Sequence, residues 1–132
     1  AYDASLTLTA AADLSSAQNS YAAAAVSGYA LFAGDTADAD VYDASLTKTT
    51  VSLLSAARQP DAVTAGGYAF FAGGDESGTV DVCDASLTRT TLTALSEARN
   101  SMAAAAVGDY VLFAGGRNTE SLYHDTVDVY TI

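Results

Sequence analysis

One phrase recurs down this chain at nearly constant intervals, and it leaves few folds open. Tyr2-Asp3-Ala4-Ser5-Leu6-Thr7 returns as Tyr42-Asp43-Ala44-Ser45-Leu46-Thr47 and as Cys83-Asp84-Ala85-Ser86-Leu87-Thr88, and a shortened echo follows at Val127-Asp128-Val129-Tyr130. Residues 2, 42, 83 and 130, which hold the same place in each phrase, lie 40, 41 and 47 residues apart. A second phrase keeps step with the first: residues 28–34 (GYALFAG) match 67–73 (GYAFFAG) and 109–115 (DYVLFAG). The longer last interval comes mainly from a longer loop at 116–125. Two phrases in register three times define repeats at approximately 2–41, 42–82 and 83–130, in one repeat domain spanning 1–132.

Within each repeat the texture is β. Residues 68–72 and 80–83 are short, rich in aromatic or branched side chains, and bounded by Gly or Asp. Residues 49–54 and 90–95 mix β-branched residues and Leu at strand length. The alanine runs at 22–26 and 103–107 favour helix by propensity. They are too short for a stable helix and meet Gly28 and Gly108 almost at once, so they read as inner strands whose small side chains let sheets approach closely. Four strands in about 40 residues is the size of one β-propeller blade. Helical solenoids need a 3.6-residue period that no segment provides, and leucine-rich repeats are shorter.

The residues also carry a family resemblance. Kelch repeats end their second strand in a double glycine, place a Tyr-Asp pair on the third, and carry a Trp some seven residues later and an Arg before the next unit. Here Gly73-Gly74 and Gly115-Gly116 match the glycines, with Gly34-Asp35 as a weakened copy. Tyr42-Asp43 and the variant Cys83-Asp84 match the pair, and Arg58 and Arg99 the arginine, with Gln18 in the first copy. The chain has no Trp, and the corresponding positions are Thr49 and Thr90. It therefore resembles a divergent, bacterial-style kelch array. The resemblance implies an all-β propeller of four-stranded blades, three repeats per chain, with structural duties for the glycines, Tyr42, Asp43 and Asp84.

The strands are out of phase with the chain ends. Lettering them a to d from the centre outward, Tyr2 falls in a c strand, a d strand follows around 8–14, and the last unit reaches Ile132 with only a, b and c. Propellers typically have four to eight blades. The expectation is that a spare outer strand completes the last blade of a second copy, giving a homodimeric six-bladed ring. An open head-to-tail series is the filament alternative. Beginning at Ala1 rather than Met, the sequence also reads as a processed or excised piece of something longer.

Composition limits the partners. Sixteen acidic against five basic residues give a net charge of −11. That opposes binding to nucleic acid and to anionic lipid, and leaves cations, basic proteins and neutral glycans. No apolar run reaches the roughly 20 residues of a membrane span, and no signal peptide is visible. Asp-rich, Lys-poor composition points to a secreted or cell-surface setting. The single cysteine, Cys83, excludes an internal disulfide framework and reads as a buried space-filler at a tyrosine position.

Catalytic signals are sparse. His124 is the only histidine, which excludes a multi-histidine metal site within one chain and leaves one candidate base for a triad. Kelch-like copper oxidases use several histidines and a Tyr–Cys pair that this chain lacks. Asp35, Asp38 and Asp40 are closely spaced carboxylates that could surround calcium, without the glycine and terminal glutamate of an EF-hand loop. A solvated acidic loop is the blander reading.

In kelch propellers the b–c and d–a loops form the partner-binding face. Here those are 35–39, 74–78 and 116–125, with 57–60 and 97–100. Their non-acidic groups able to read a ligand are Arg58, Arg99, Arg117, Asn118, Tyr123 and His124. Arg58 and Arg99 carry a second reading, as bonds to backbone and neighbouring blades. The function expected is a non-catalytic module that binds or scaffolds protein or glycan. The alternatives are a self-assembling structural unit and a divergent glycan-acting enzyme.

Overall fold

The computed structural model describes residues 8–17 and 21–132. The expected c strand at Tyr2 and the substitution at Gln18 lie outside these residues. Among them there is no helix; eleven strands form three antiparallel sheets. The first sheet is β1 (Ala22–Val26), β2 (Tyr29–Ala33), β3 (Asp38–Tyr42) and β4 (Lys48–Ser52), hydrogen-bonded in that order. The second is β5 (Asp61–Ala65), β6 (Tyr68–Ala72), β7 (Val80–Cys83) and β8 (Arg89–Leu92). The third holds β9 (Ala103–Val107), β10 (Tyr110–Ala114) and β11 (Val127–Thr131). Three units of four, four and three strands are what the repeat phase predicts, but the outer strand expected around 8–14 is not formed: of those residues only Leu8 is in a β-bridge, and none belongs to one of the three sheets.

The alanine runs are strands because tight turns fold them back. Val26 pairs with Tyr29 across a two-residue loop, as do Ala65 with Tyr68 and Val107 with Tyr110. Ser27 and Gly28 both have positive φ, as do Gly66 and Gly67, and Gly108 does in the third hairpin. These are the turn conformations whose twist matches paired strands. At the same end of each complete sheet, the c–d turn is built by an aspartate. Asp43 Oδ1 accepts the Ser45 and Thr47 N–H groups at 2.9 and 3.0 Å, and Asp84 repeats this with Ser86 and Thr88. The turn forces Leu46 and Leu87 to φ near +60°.

The outer strands are shorter than their sequence suggests. β4 and β8 stop at Ser52 and Leu92, whereas residues through 54 and 95 have strand-like composition. Leu53, Leu54 and Leu95 leave the ladder to become core, and Leu54 and Leu95 donate to the Ala37 and Gly78 carbonyls instead. Thr49 and Thr90 are exposed, so no site is formed for a packed indole.

Sheet meets sheet through the inner strands: β1 lies against β5 and β6, and β5 against β9. The Ala25 N–H donates to Thr64 Oγ1 at 3.0 Å across the first of these contacts. One core, with Leu31, Val41, Leu53, Leu54 and Phe71, fills the first seam. A second, with Phe70, Val82, Leu95, Val111 and Phe113, fills the next. The middle sheet is thus buried on both faces, and β7 is buried at every residue while β11 alternates.

Candidate binding face

Each seam is held by the same polar joint. The segment crossing from one sheet to the next carries a Leu-Ser pair, and the serine donates to an aspartate on the third strand of the sheet it enters. Ser55 N–H and hydroxyl reach Asp81 at 2.8 and 2.9 Å, and Ser15 N–H reaches Asp40 at 2.9 Å. Ser96 N–H reaches Asp128 at 3.3 Å. Three residues beyond the serine comes the arginine. Arg58 is fully enclosed with Asp81, bonding it at 2.7 Å while donating to the Gly73 and Phe71 carbonyls at 2.9 and 3.1 Å. Arg99 bonds Asp128 and the carbonyls of Gly115 and Thr126 through its terminal nitrogens, while its Nε, unlike that of Arg58, is enclosed without a partner among the described residues.

These contacts fix the electrostatics. Burial alone would raise the Asp81 carboxyl, but the Ser55 N–H, Thr91 hydroxyl and Arg58 guanidinium outweigh it and hold it below the usual carboxylate range. Asp128 is lowered in the same way by Ser96 and Arg99 against its own burial. Arg58 and Arg99, expected on loops that read a partner, are therefore buried beneath that surface, where they bind backbone and aspartate.

The double glycines receive these crossings. A side chain on Gly73 would place Cβ 2.3 Å from the Arg99 carbonyl oxygen, and one on Gly74 would place it 2.1 Å from that of Gln59. Gly116 meets the Asn100 oxygen at 2.5 Å, and Gly73, Gly74, Gly115 and Gly116 all have positive φ. Tyr42 also bridges sheet and crossing, donating to the Ala12 carbonyl at 2.6 Å, as Tyr130 does to Thr93 at 2.8 Å. Each packs edge-on against a phenylalanine, Phe32 or Phe113. Cys83 takes that place in the middle sheet, where burial foremost, with Asp84 nearby, pushes its thiol up to about 11.

The b–c and d–a loops emerge together at the end opposite the tight turns, because Ala33, Asp38, Ser52 and Ala22 pair at one end of their sheet. Between them opens a polar hollow of about 380 Å³, lined by Asp35, Gln59, Asp61, Gly74, Asn100 and Arg117 among others, so that all three sheets contribute. Asp61 starts the inner strand where the other sheets carry Ala22 and Ala103. Burial raises its carboxyl, and the Met102 N–H at 2.9 Å offsets only part of that. A second hollow of about 390 Å³ shares Ser101 and Arg117 with the first and adds Gly116, Tyr123 and His124.

Of the loop residues expected to read a partner, Arg117, Tyr123 and His124 meet here. Asn118 is instead committed to a turn, accepting the Glu120 and Leu122 N–H groups at 3.0 and 3.1 Å. His124 Nδ1 lies 2.9 Å from Glu97. Its Nε2 is enclosed without a partner among the described residues.

The three carboxylates proposed for calcium are divided. Asp35 accepts from Gln59 on the first hollow, while Asp38 and Asp40 line a separate one with Ser15 and Thr50. Asp40 is already bonded to Ser15 and Thr50 in its seam joint. Among the described residues no three His, Cys, Asp or Glu side chains are grouped to hold a metal ion. The joint itself escaped sequence reasoning, although its signal recurs in plain sight as Leu-Ser at 14–15, 54–55 and 95–96 and as Asp-Val at 40–41, 81–82 and 128–129. No family model matches this chain, and no curated protein matches it.

Proposed function

We propose that the chain is a kelch-like β-propeller segment acting as a non-catalytic module that binds or scaffolds a protein or glycan through its b–c and d–a loops. The observation carrying this reading is the 380 Å³ hollow, to which loops from all three sheets bring Asp, Gln, Asn and Arg side chains. Such planar polar groups pair with hydroxyls and amides, and with Arg58 and Arg99 bound to aspartates below, Arg117 is the guanidinium left exposed at the hollow among the described residues. The propeller reading draws support from sheets that meet along β1, β5 and β9 and from joints repeated at every seam.

The test is a titration of the isotopically labelled protein with neutral and acidic oligosaccharides, followed by amide shifts. Shifts confined to residues 35–37, 57–61, 74–78, 100–101 and 116–125, and lost in Asp61→Ala/Asn100→Ala, support the reading. Shifts spread over the tight turns, or none, refute it for glycans.

A second reading is self-assembly, favoured by one observation. Residues 12–15 contact the first sheet as 52–55 and 93–96 contact the second and third, so they enter it as the segments after β4 and β8 enter theirs, while the far edge of β11 pairs with no described residue. A second copy would supply that edge with its own outer strand and close a six-bladed ring. Native mass reads this directly: twice the 13.4 kDa of one chain supports the closed dimer, a concentration-dependent series supports the filament, and a monomer rules out both.

A further inference from the structure

Arg117 differs from the other arginines of the loop end. Its backbone is pinned on both sides, pairing with Asn100 and with Tyr123 in isolated bridges. Its side chain is exposed, and its one bond is from Nε to Asn100 Oδ1 at 3.3 Å. Both terminal nitrogens are without a partner among the described residues, so an anchored guanidinium fork faces solvent at the junction of the two hollows. Beside it the Tyr123 ring is 85% exposed, and the Glu97 contact to His124 holds the loop that carries that ring.

From this we infer a subsite for a uronate sugar, a pyranose bearing one carboxylate. The inference rests on the glycan-binding reading above and adds the charge of the ligand to it. The planar fork matches a carboxylate through two parallel N–H···O bonds. An exposed aromatic face beside it suits the apolar face of a pyranose ring. The adjoining 380 Å³ hollow, with Gln59, Asp61 and Asn100, takes the hydroxyls of a neighbouring sugar. A single carboxylate fits better than a phosphate dianion. Glu120 and Asp125 belong to the same 116–125 loop, Glu97 lies against His124, and the whole chain carries −11, so every added negative charge meets repulsion that one fork must overcome.

The experiment compares three probes at low salt by calorimetry: a sugar trimer with one galacturonate and two neutral residues, its methyl ester, and neutral cellotriose. The trimer is expected to bind about tenfold or more tightly than the ester, the worth of a charge-assisted pair. Arg117→Gln, on an exposed side chain, should keep the fold by amide spectrum and remove that difference, leaving the affinity for the ester nearly unchanged. Tyr123→Ala should weaken trimer and ester alike. Equal binding of trimer and ester, or a preference that survives Arg117→Gln, overturns the inference. If cellotriose binds at the loop end while the carboxylate gives no advantage, the binding face stands and the uronate subsite falls. If no sugar binds, both fall.

Discussion

Replacing Arg58 with alanine should be among the costliest single changes in this chain. The guanidinium and the Asp81 carboxylate are both fully enclosed, and the arginine also satisfies the carbonyls of Gly73 and Phe71. Removing it leaves a buried carboxylate held by Ser55 and Thr91 alone, and takes the arginine donor from two carbonyls. Breaking a buried pair in this way costs about 3–5 kcal/mol, against about 0–1 kcal/mol for an exposed one. For a domain whose total stability is about 5–15 kcal/mol, that is a large share.

Urea unfolding at neutral pH, followed by tyrosine fluorescence and far-UV circular dichroism, measures the loss. The pH dependence then tests the cause. The folded Asp81 carboxyl lies below its unfolded value of about 3.9. Its contribution is therefore fully present above about pH 4 and is lost as pH falls through the folded value. Since Arg58 supplies part of that lowering, the gap between the wild type and Arg58→Ala should be widest near pH 7 and narrow below about pH 4. A loss under about 1 kcal/mol, or a gap that widens in acid, would refute the reasoning.

Three other outcomes follow from the same geometry. Gly74→Ala, which drives Cβ into the Gln59 carbonyl at a φ of +83°, should cost at least about 2 kcal/mol in urea melts, whereas Gly28→Ala, with open space around it, should cost less. Cys83, buried with its thiol raised to about 11, should resist iodoacetamide at pH 8 until denaturant is added; rapid labelling of the folded protein would contradict its burial. Millimolar calcium should leave the melting temperature unmoved, because Asp35 is apart from Asp38 and Asp40. Asp40→Asn should destabilise with or without the ion, and calcium-dependent rescue would show that the three carboxylates gather after all.

Much of the architecture was legible because the repeat carries it. The inner strands at 22–26 and 103–107 could be assigned against alanine's own preference, since the glycine turn that follows occupies the same place in every copy. The phase of the strands could be counted, and the three-stranded last sheet came out as counted. Burial at the seams was not legible. Arg58 and Arg99 look like surface cations in a polar loop, and only the third dimension shows that the crossing segment carries them under the double glycines to carboxylates 23 and 29 residues away. The same holds for Asp40, whose neighbours in sequence are acidic but whose neighbours in space are hydroxyls. Of the binding face, Arg117, Tyr123 and His124 could be named in advance. Gln59 and Asn100 lay in loops already expected there, but their meeting with Asp61 in one hollow could not be read, because it exists only where three separate loops converge.

The seam joint has a consequence for how such a chain can grow. Serine and arginine stand at the exit of one unit and the aspartate that receives them in the next, so every stretch of forty-odd residues carries one half of two different joints. Duplicating that stretch brings its own adhesive with it and leaves the existing seams intact. Array length is therefore free to change by whole units without any new interface being invented, while the loops above the joints are free to diverge in sequence.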